Sequence, residues 1–134
     1  MMLYRPALIL GALLAALAVI LGAFGAHALK EVLQPEQLVT FETGVRYQIY
    51  HSFALLVTGL LYAFRPTRAL RIATLLFGLG ILLFSGSIYL LVFLKNNGVG
   101  IGPVGIITPM GGVLFVAGWM AMATAFIDYK GIRN

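Results

Sequence analysis

Apolar residues run almost unbroken through four stretches of the chain, and short polar clusters divide them. The first stretch, Ala7 to Leu29, follows a single charge at Arg5. At 1.5 Å per residue it makes about 34 Å of helix, enough to cross the hydrocarbon of a bilayer. Gln34-Pro35-Glu36 signals the next helix start, because proline is tolerated at the first helical position and an acidic residue suits the positive end of the helix dipole. No breaker follows before Phe64. Residues 36–46 place Leu38, Phe41 and Val45 on one side and Glu42, Thr43 and Arg46 on another, an amphipathic lead-in that belongs at the interface. Residues 47–64 form the span proper, about 27 Å long. Arg65-Pro66-Thr67-Arg68 makes a tight basic turn, since proline cannot continue the preceding helix. A third helix is predicted over 72–94. Lys95-Asn96-Asn97-Gly98 and the glycines up to Gly105 form a flexible connection. A fourth helix is predicted over 106–127, with Pro109 in its first turn and Asp128, Lys130 and Arg133 marking the exit into water.

The pattern predicts an all-α integral membrane four-helix bundle, one domain over 1–134. Small residues mark its packing faces. Gly11, Ala15, Ala18, Gly22 and Ala26 recur at steps of three and four on the first helix, and Gly78, Gly111, Gly112 and Gly118 serve the third and fourth. Four spans put both termini on one side. Arg5, Arg65, Arg68, Arg71, Lys130 and Arg133 lie on that side and Lys30, Arg46 and Lys95 on the other, so the termini are expected in the cytoplasm.

Composition agrees and narrows the function. With 61% hydrophobic and 10% charged residues, the chain is far from an ordinary soluble domain. Its net charge of +5 comes from basic residues scattered singly, without the clustered face that phosphate binding needs, so nucleic acid is not an expected partner. The absence of cysteine excludes disulfides, thiolate metal sites and cysteine nucleophiles. Ala26-His27-Ala28 fits a signal-peptide cleavage pattern, but the apolar run before it exceeds the usual signal core, and the first helix is read as retained.

One stretch, Phe41 to His51, gathers a carboxylate, a guanidinium, two tyrosines and a histidine. Counted from Phe64, His51 lies about 20 Å up, Arg46 about 27 Å and Glu42 about 33 Å, against a hydrocarbon core of about 30 Å. Ser85 comes out at the depth of His51; His27 and Thr108 fall near the outer boundary. The candidate polar site is therefore an outer rim of His27, Glu42, Arg46 and Thr108 above a deeper pair, His51 and Ser85, with Tyr47, Tyr50 and Tyr89 around it. Glu42 and Arg46, spaced i and i+4, suit an ion pair. His51 in hydrocarbon requires a neutral ring or a partner, and a hydrogen bond to Ser85 or a tyrosine would supply one. His27 and His51 as two haem ligands is the sharpest alternative, but they differ by about 10 Å in depth, poor geometry for one iron. No metal site, no resident cofactor and no catalytic acid–base or nucleophile set is expected.

Four ordered blocks resemble a known family. Gly22-Ala23-Phe24-Gly25-Ala26-His27-Ala28-Leu29, then Phe41-x-Thr43-Gly44-x-x-Tyr47-Gln48-x-Tyr50-His51, then Phe84-x-Gly86-x-x-Tyr89, then Thr108-Pro109-x-Gly111-Gly112 with Gly118-Trp119 are similar to the small bacterial membrane proteins of domain-of-unknown-function family 423. The resemblance implies a four-helix inner-membrane protein with no established activity. The chain is expected to be a non-enzymatic protein that packs with lipid and with itself or a membrane-protein partner, in support of membrane integrity. The alternative is an oligomeric transporter or channel leading from the outer rim to His51.

Overall fold

A computed structural model describes residues 2–127. Every regular element in that range is helical: α1 (Arg5–Ala26), α2 (Pro35–Phe64), α3 (Arg68–Asn96) and α4 (Val104–Thr124), with one 3₁₀ turn, Leu29–Glu31, between α1 and α2. Asp128, Lys130 and Arg133, the expected exit into water, lie outside the described residues.

Helix ends follow local chemistry. Pro6 opens α1 at a position where a missing N–H costs nothing. Its helix stops at Ala26, three residues before the apolar run does, because the chain turns at His27 and tightens into the 3₁₀ turn. Pro35 opens α2, and the Gln37 side chain accepts the Gln34 backbone N–H at 2.8 Å, closing a capping box. Thr67 caps α3, its Oγ1 accepting the Leu70 N–H at 3.3 Å, so the helix begins four residues before the apolar segment predicted at 72. Gly98, at φ +69°, lets the chain leave α3 with Val99 N–H donating to Leu94 O at 2.9 Å. Pro109, expected in the first turn of α4, is inside the helix, which starts at Val104.

Each helix packs against its neighbour in sequence: α1 on α2, α2 on α3, and α3 on α4. Ala54 and Leu55 of α2, Ala73, Phe77 and Ile81 of α3 and Phe115 of α4 form the central core. Near one end, Tyr4 N–H donates to Gly59 O at 3.2 Å and the Tyr4 and Tyr62 rings lie 5.0 Å apart, which ties the start of α1 to α2.

Three helical segments, Arg5–Glu31, Arg68–Asn96 and Val104–Thr124, are long and apolar enough to cross a membrane. The second helix is the longest at 30 residues, but it buries Gln48, His51, Ser52 and Thr58. Its place between α1 and α3 accounts for that composition. The polar side chains face neighbouring helices, while Phe53, Val57, Leu60 and Phe64, at steps of three and four, form an exposed apolar stripe. At 30 residues α2 is about 45 Å long, and it packs between two helices that are long and apolar enough to cross a membrane.

The predicted small-residue faces are partly realised. Gly11 is buried against Ser52 and Leu56, and Gly118 against Phe77. Gly111 is the tightest crossing: a Cβ there would sit 2.7 Å from Phe84 Cα, so only glycine lets α4 approach the α3 backbone this closely. Gly22 and Gly78 meet only side-chain atoms of Val45 and Leu10, and Gly112 has nothing closer than 3.8 Å. Ala15 is half-buried. At the top of α1 the order is corrected: Ala26 is exposed, and its neighbour Gly25 packs on the Phe41 ring instead.

Candidate functional site

Polar side chains inside the bundle fall into two groups, one bonding from α2 to α1 and α3 and the other from α2 to α4. The first centres on Gln48, which is 2% exposed. Its Nε2 donates to the Leu14 carbonyl of α1 at 2.9 Å, and its Oε1 accepts the Tyr89 hydroxyl of α3 at 2.8 Å. One amide thus holds three helices. Beside it, Ser85 donates to Gly44 O at 2.7 Å, which requires close approach of α3. A Cβ on Gly44 would come within 2.9 Å of the Tyr89 ring, so the glycine is what makes room for this crossing. Tyr89 also packs on Phe41, ring centres 5.1 Å apart.

The second group centres on His51, 5% exposed, on the side of α2 that meets α4. Its ring lies flat on Phe115, centroids 3.4 Å apart and planes 8° apart. Nδ1 is 2.8 Å from Tyr47 O, one turn back on α2, and Nε2 accepts the indole N–H of Trp119 at 3.3 Å. Tyr47 extends the row of near-parallel rings, stacking on Phe84 at 4.6 Å. Together with Pro109, Gly112, Val113 and Val116 of α4, these side chains line a groove of about 670 Å³. Val113, Val116, Trp119 and Tyr47 are exposed, so it opens on the outer surface of the helices, where lipid lies.

The expected deep pair is not formed. Ser85 and His51 do lie on neighbouring helices, but Ser85 bonds to the Gly44 carbonyl and His51 to Trp119; Gly44 stands about 10 Å from His51 along the same face of α2, so Ser85 and His51 are not level. The outer rim is also divided. Glu42 and Arg46 line a depression of about 300 Å³ between α1 and α2 with Gly22, Gly25, Phe41 and Val45, and they form no ion pair with each other among the described residues. His27 is exposed at the end of α1. Thr108 pairs with Ser87 at 2.6 Å, joining α4 to α3. Tyr50 is exposed beside Tyr47, ring centres 6.4 Å apart. The two depressions share no lining residue. With both His51 nitrogens bonded within the bundle, the two histidines do not converge on a common ligand. Among the described residues, no group of three or more His, Asp or Glu stands where it could hold a metal ion.

Gln48, Ser87 and Trp119 are the site residues that sequence reasoning passed over. Each carried a signal: an amide in the middle of an apolar run, a second hydroxyl two residues from Ser85, and the sole tryptophan of the chain.

Comparison with known proteins gives a consistent answer. A family profile described as "Protein of unknown function (DUF423)" matches residues 21–112. A "UPF0382 membrane protein" of Staphylococcus epidermidis is 40% identical over 124 residues, 92% of this chain and 97% of the relative. A namesake in Haemophilus influenzae is 40% identical over 85% of this chain and 87% of its own. One in Bacillus subtilis is 40% identical over 91% and 96%. No solved structure matches.

Proposed function

We propose that this chain, which belongs to the DUF423 family of membrane proteins of unknown function, is a non-enzymatic structural protein of the bacterial inner membrane. It acts by packing with lipid and with membrane-protein partners or further copies of itself, and so supports the integrity of the bilayer.

The Gln48 clamp carries this reading. A polar side chain in hydrocarbon is costly, and pathway proteins leave such groups facing a water-filled cavity. Here the amide is spent on joining α1, α2 and α3. Ser85, Ser52 and Thr58 likewise bond to helix backbone at 2.7 Å. Such a bundle is built to hold its shape in lipid. The charge asymmetry between loops supports cytoplasmic termini.

Deletion tests the proposal. Cells lacking the protein are expected to admit more of a membrane-impermeant dye, with wild-type restoring the barrier and Gln48→Leu restoring it less. A strictly monomeric protein in mild detergent, together with unchanged permeability in the deletion strain, would overturn the reading.

A further inference from the structure

The groove between α2 and α4 goes beyond a packing role. We propose that it is a lateral binding site for a membrane-dissolved amphiphile whose flat ring carries a hydroxyl group, of the phenol or hydroquinone class, held between Trp119 Nε1–H and His51 Nε2.

Four observations converge on that chemistry. The first is access. Counted from Phe64, His51 sits about 20 Å into a core of about 30 Å, so a ligand reaching it comes from the bilayer and not from water. The groove opens past Val113, Val116 and the half-exposed Trp119.

The second is shape. At about 670 Å³ the groove falls within the range of small-ligand pockets, about 300–1,000 Å³. Its inner wall is a row of near-parallel rings. His51 lies at 8° to Phe115, Tyr47 at 20° to His51 and at 30° to Phe84. A flat ring continues such a stack; a flexible acyl chain gains little from it.

The third is hydrogen-bond complementarity. Tyr47 O can only accept, so His51 Nδ1 carries the proton and Nε2 offers a lone pair. Trp119 Nε1–H can only donate. A hydroxyl is the group that satisfies both at once, accepting from the indole and donating to the imidazole. A carbonyl would leave Nε2 without a donor, and an amine would leave the indole poorly served.

The fourth is ease of insertion. The direct Trp119–His51 bond is 3.3 Å, longer than the usual N–H hydrogen bond of about 2.9–3.0 Å. Trp119 is 45% exposed on the lipid side, with room to swing outward as an oxygen enters. A Cβ on Gly112 would meet only the edge of the Phe84 ring, at 3.8 Å, so this position leaves side-chain space beside the ring stack.

Trp119 is the only tryptophan, so its emission reports on this groove alone. The full chain in phosphatidylcholine vesicles is titrated with a ring-brominated long-chain 4-alkylphenol, with its O-methyl ether, and with acyl-brominated phosphatidylcholine, bromine being a short-range quencher. The expected result is saturable quenching by the phenol, half-complete at a mole fraction at least about fivefold below that of the ether, the worth of one net hydrogen bond. Equal quenching by phenol and ether overturns the hydroxyl's role. Quenching by all three that is linear and equal per bromine overturns the site. His51→Phe keeps the stack on Phe115 and removes the acceptor, so the phenol's advantage is expected to vanish; its persistence overturns the role given to His51. Gly112→Leu fills the groove without touching either hydrogen-bonding group. Loss of saturation is expected there, and unchanged saturation places the probe elsewhere and overturns the proposal.

Discussion

The indole N–H of Trp119 meets Nε2 of His51 at 3.3 Å, while Nδ1 of the same ring lies 2.8 Å from the Tyr47 carbonyl. A carbonyl oxygen cannot donate and an indole nitrogen cannot accept, so these partners allow one form of the ring: neutral, with its proton on Nδ1. The ¹⁵N spectrum of labelled protein in bilayers is expected to show that tautomer for His51. A protonated ring, or the proton on Nε2, would contradict the arrangement.

Removing the donor should expose what the pair is worth. Trp119→Phe retains an aromatic ring beside Phe77 and leaves Nε2 without its partner. A loss of about 1 kcal/mol is expected for a hydrogen bond between helices in a membrane, measured by unfolding in a denaturing detergent series. No loss would mean that lipid-side contacts replace the bond.

Gln48→Leu is expected to cost more, about 1–3 kcal/mol, because it leaves the half-buried Tyr89 hydroxyl and the Leu14 carbonyl without their partner. Tyr89→Phe alone removes only one of the two bonds that Gln48 makes. The double variant should therefore lose less than the sum of the singles, the coupling expected of directly bonded residues. Strict additivity would show that the clamp is not formed.

Two adjacent glycines should behave unlike each other. Gly111→Ala drives a Cβ into the backbone of α3 and is expected to destabilise by about 1–3 kcal/mol, the cost of overpacking. Gly112→Ala meets the Phe84 ring at 3.8 Å, ordinary contact, and should change stability by under about 0.5 kcal/mol. The same unfolding series checks both, and similar losses at the two positions would put the α3–α4 crossing elsewhere.

The natural absence of cysteine makes topology directly testable. Single variants Pro66→Cys and Asn97→Cys place a thiol in the loops before and after α3. A membrane-impermeant maleimide applied to intact cells is expected to label Asn97→Cys and to reach Pro66→Cys only after the membrane is opened. The reverse pattern would invert the bundle.

Much of this architecture is legible along the chain, because helix ends are set by local chemistry. Gln34-Pro35 opens α2 and Thr67 caps α3 where short-range rules place them. Counting 1.5 Å per residue gives height along a helix but says nothing of which way a neighbouring helix is turned. Height itself depends on the boundary counted from: α3 begins at Arg68 and not at the predicted 72, and Ser85 meets Gly44, about two turns of α2 away from His51. The rotation of α4 is hidden for a further reason: it is apolar all round, with no amphipathic stripe to orient it, so Trp119 gave no sign of facing His51. Gln48 is hidden for a similar reason, since spacing alone does not say which neighbours an amide in an apolar run will meet. The amide points about 100° away from Tyr47, toward α1 and α3.

The position of α2 between two more apolar helices also bears on how the protein is made. Ser52, Thr58 and His51 Nδ1 bond to the backbone of α2 itself, but Gln48 has its partners on other helices and lipid would offer it none. Leu14 on the helix already made and Tyr89 on the helix yet to come are the partners that Gln48 needs. The clamp is therefore complete only when α3 joins the pair already made by α1 and α2.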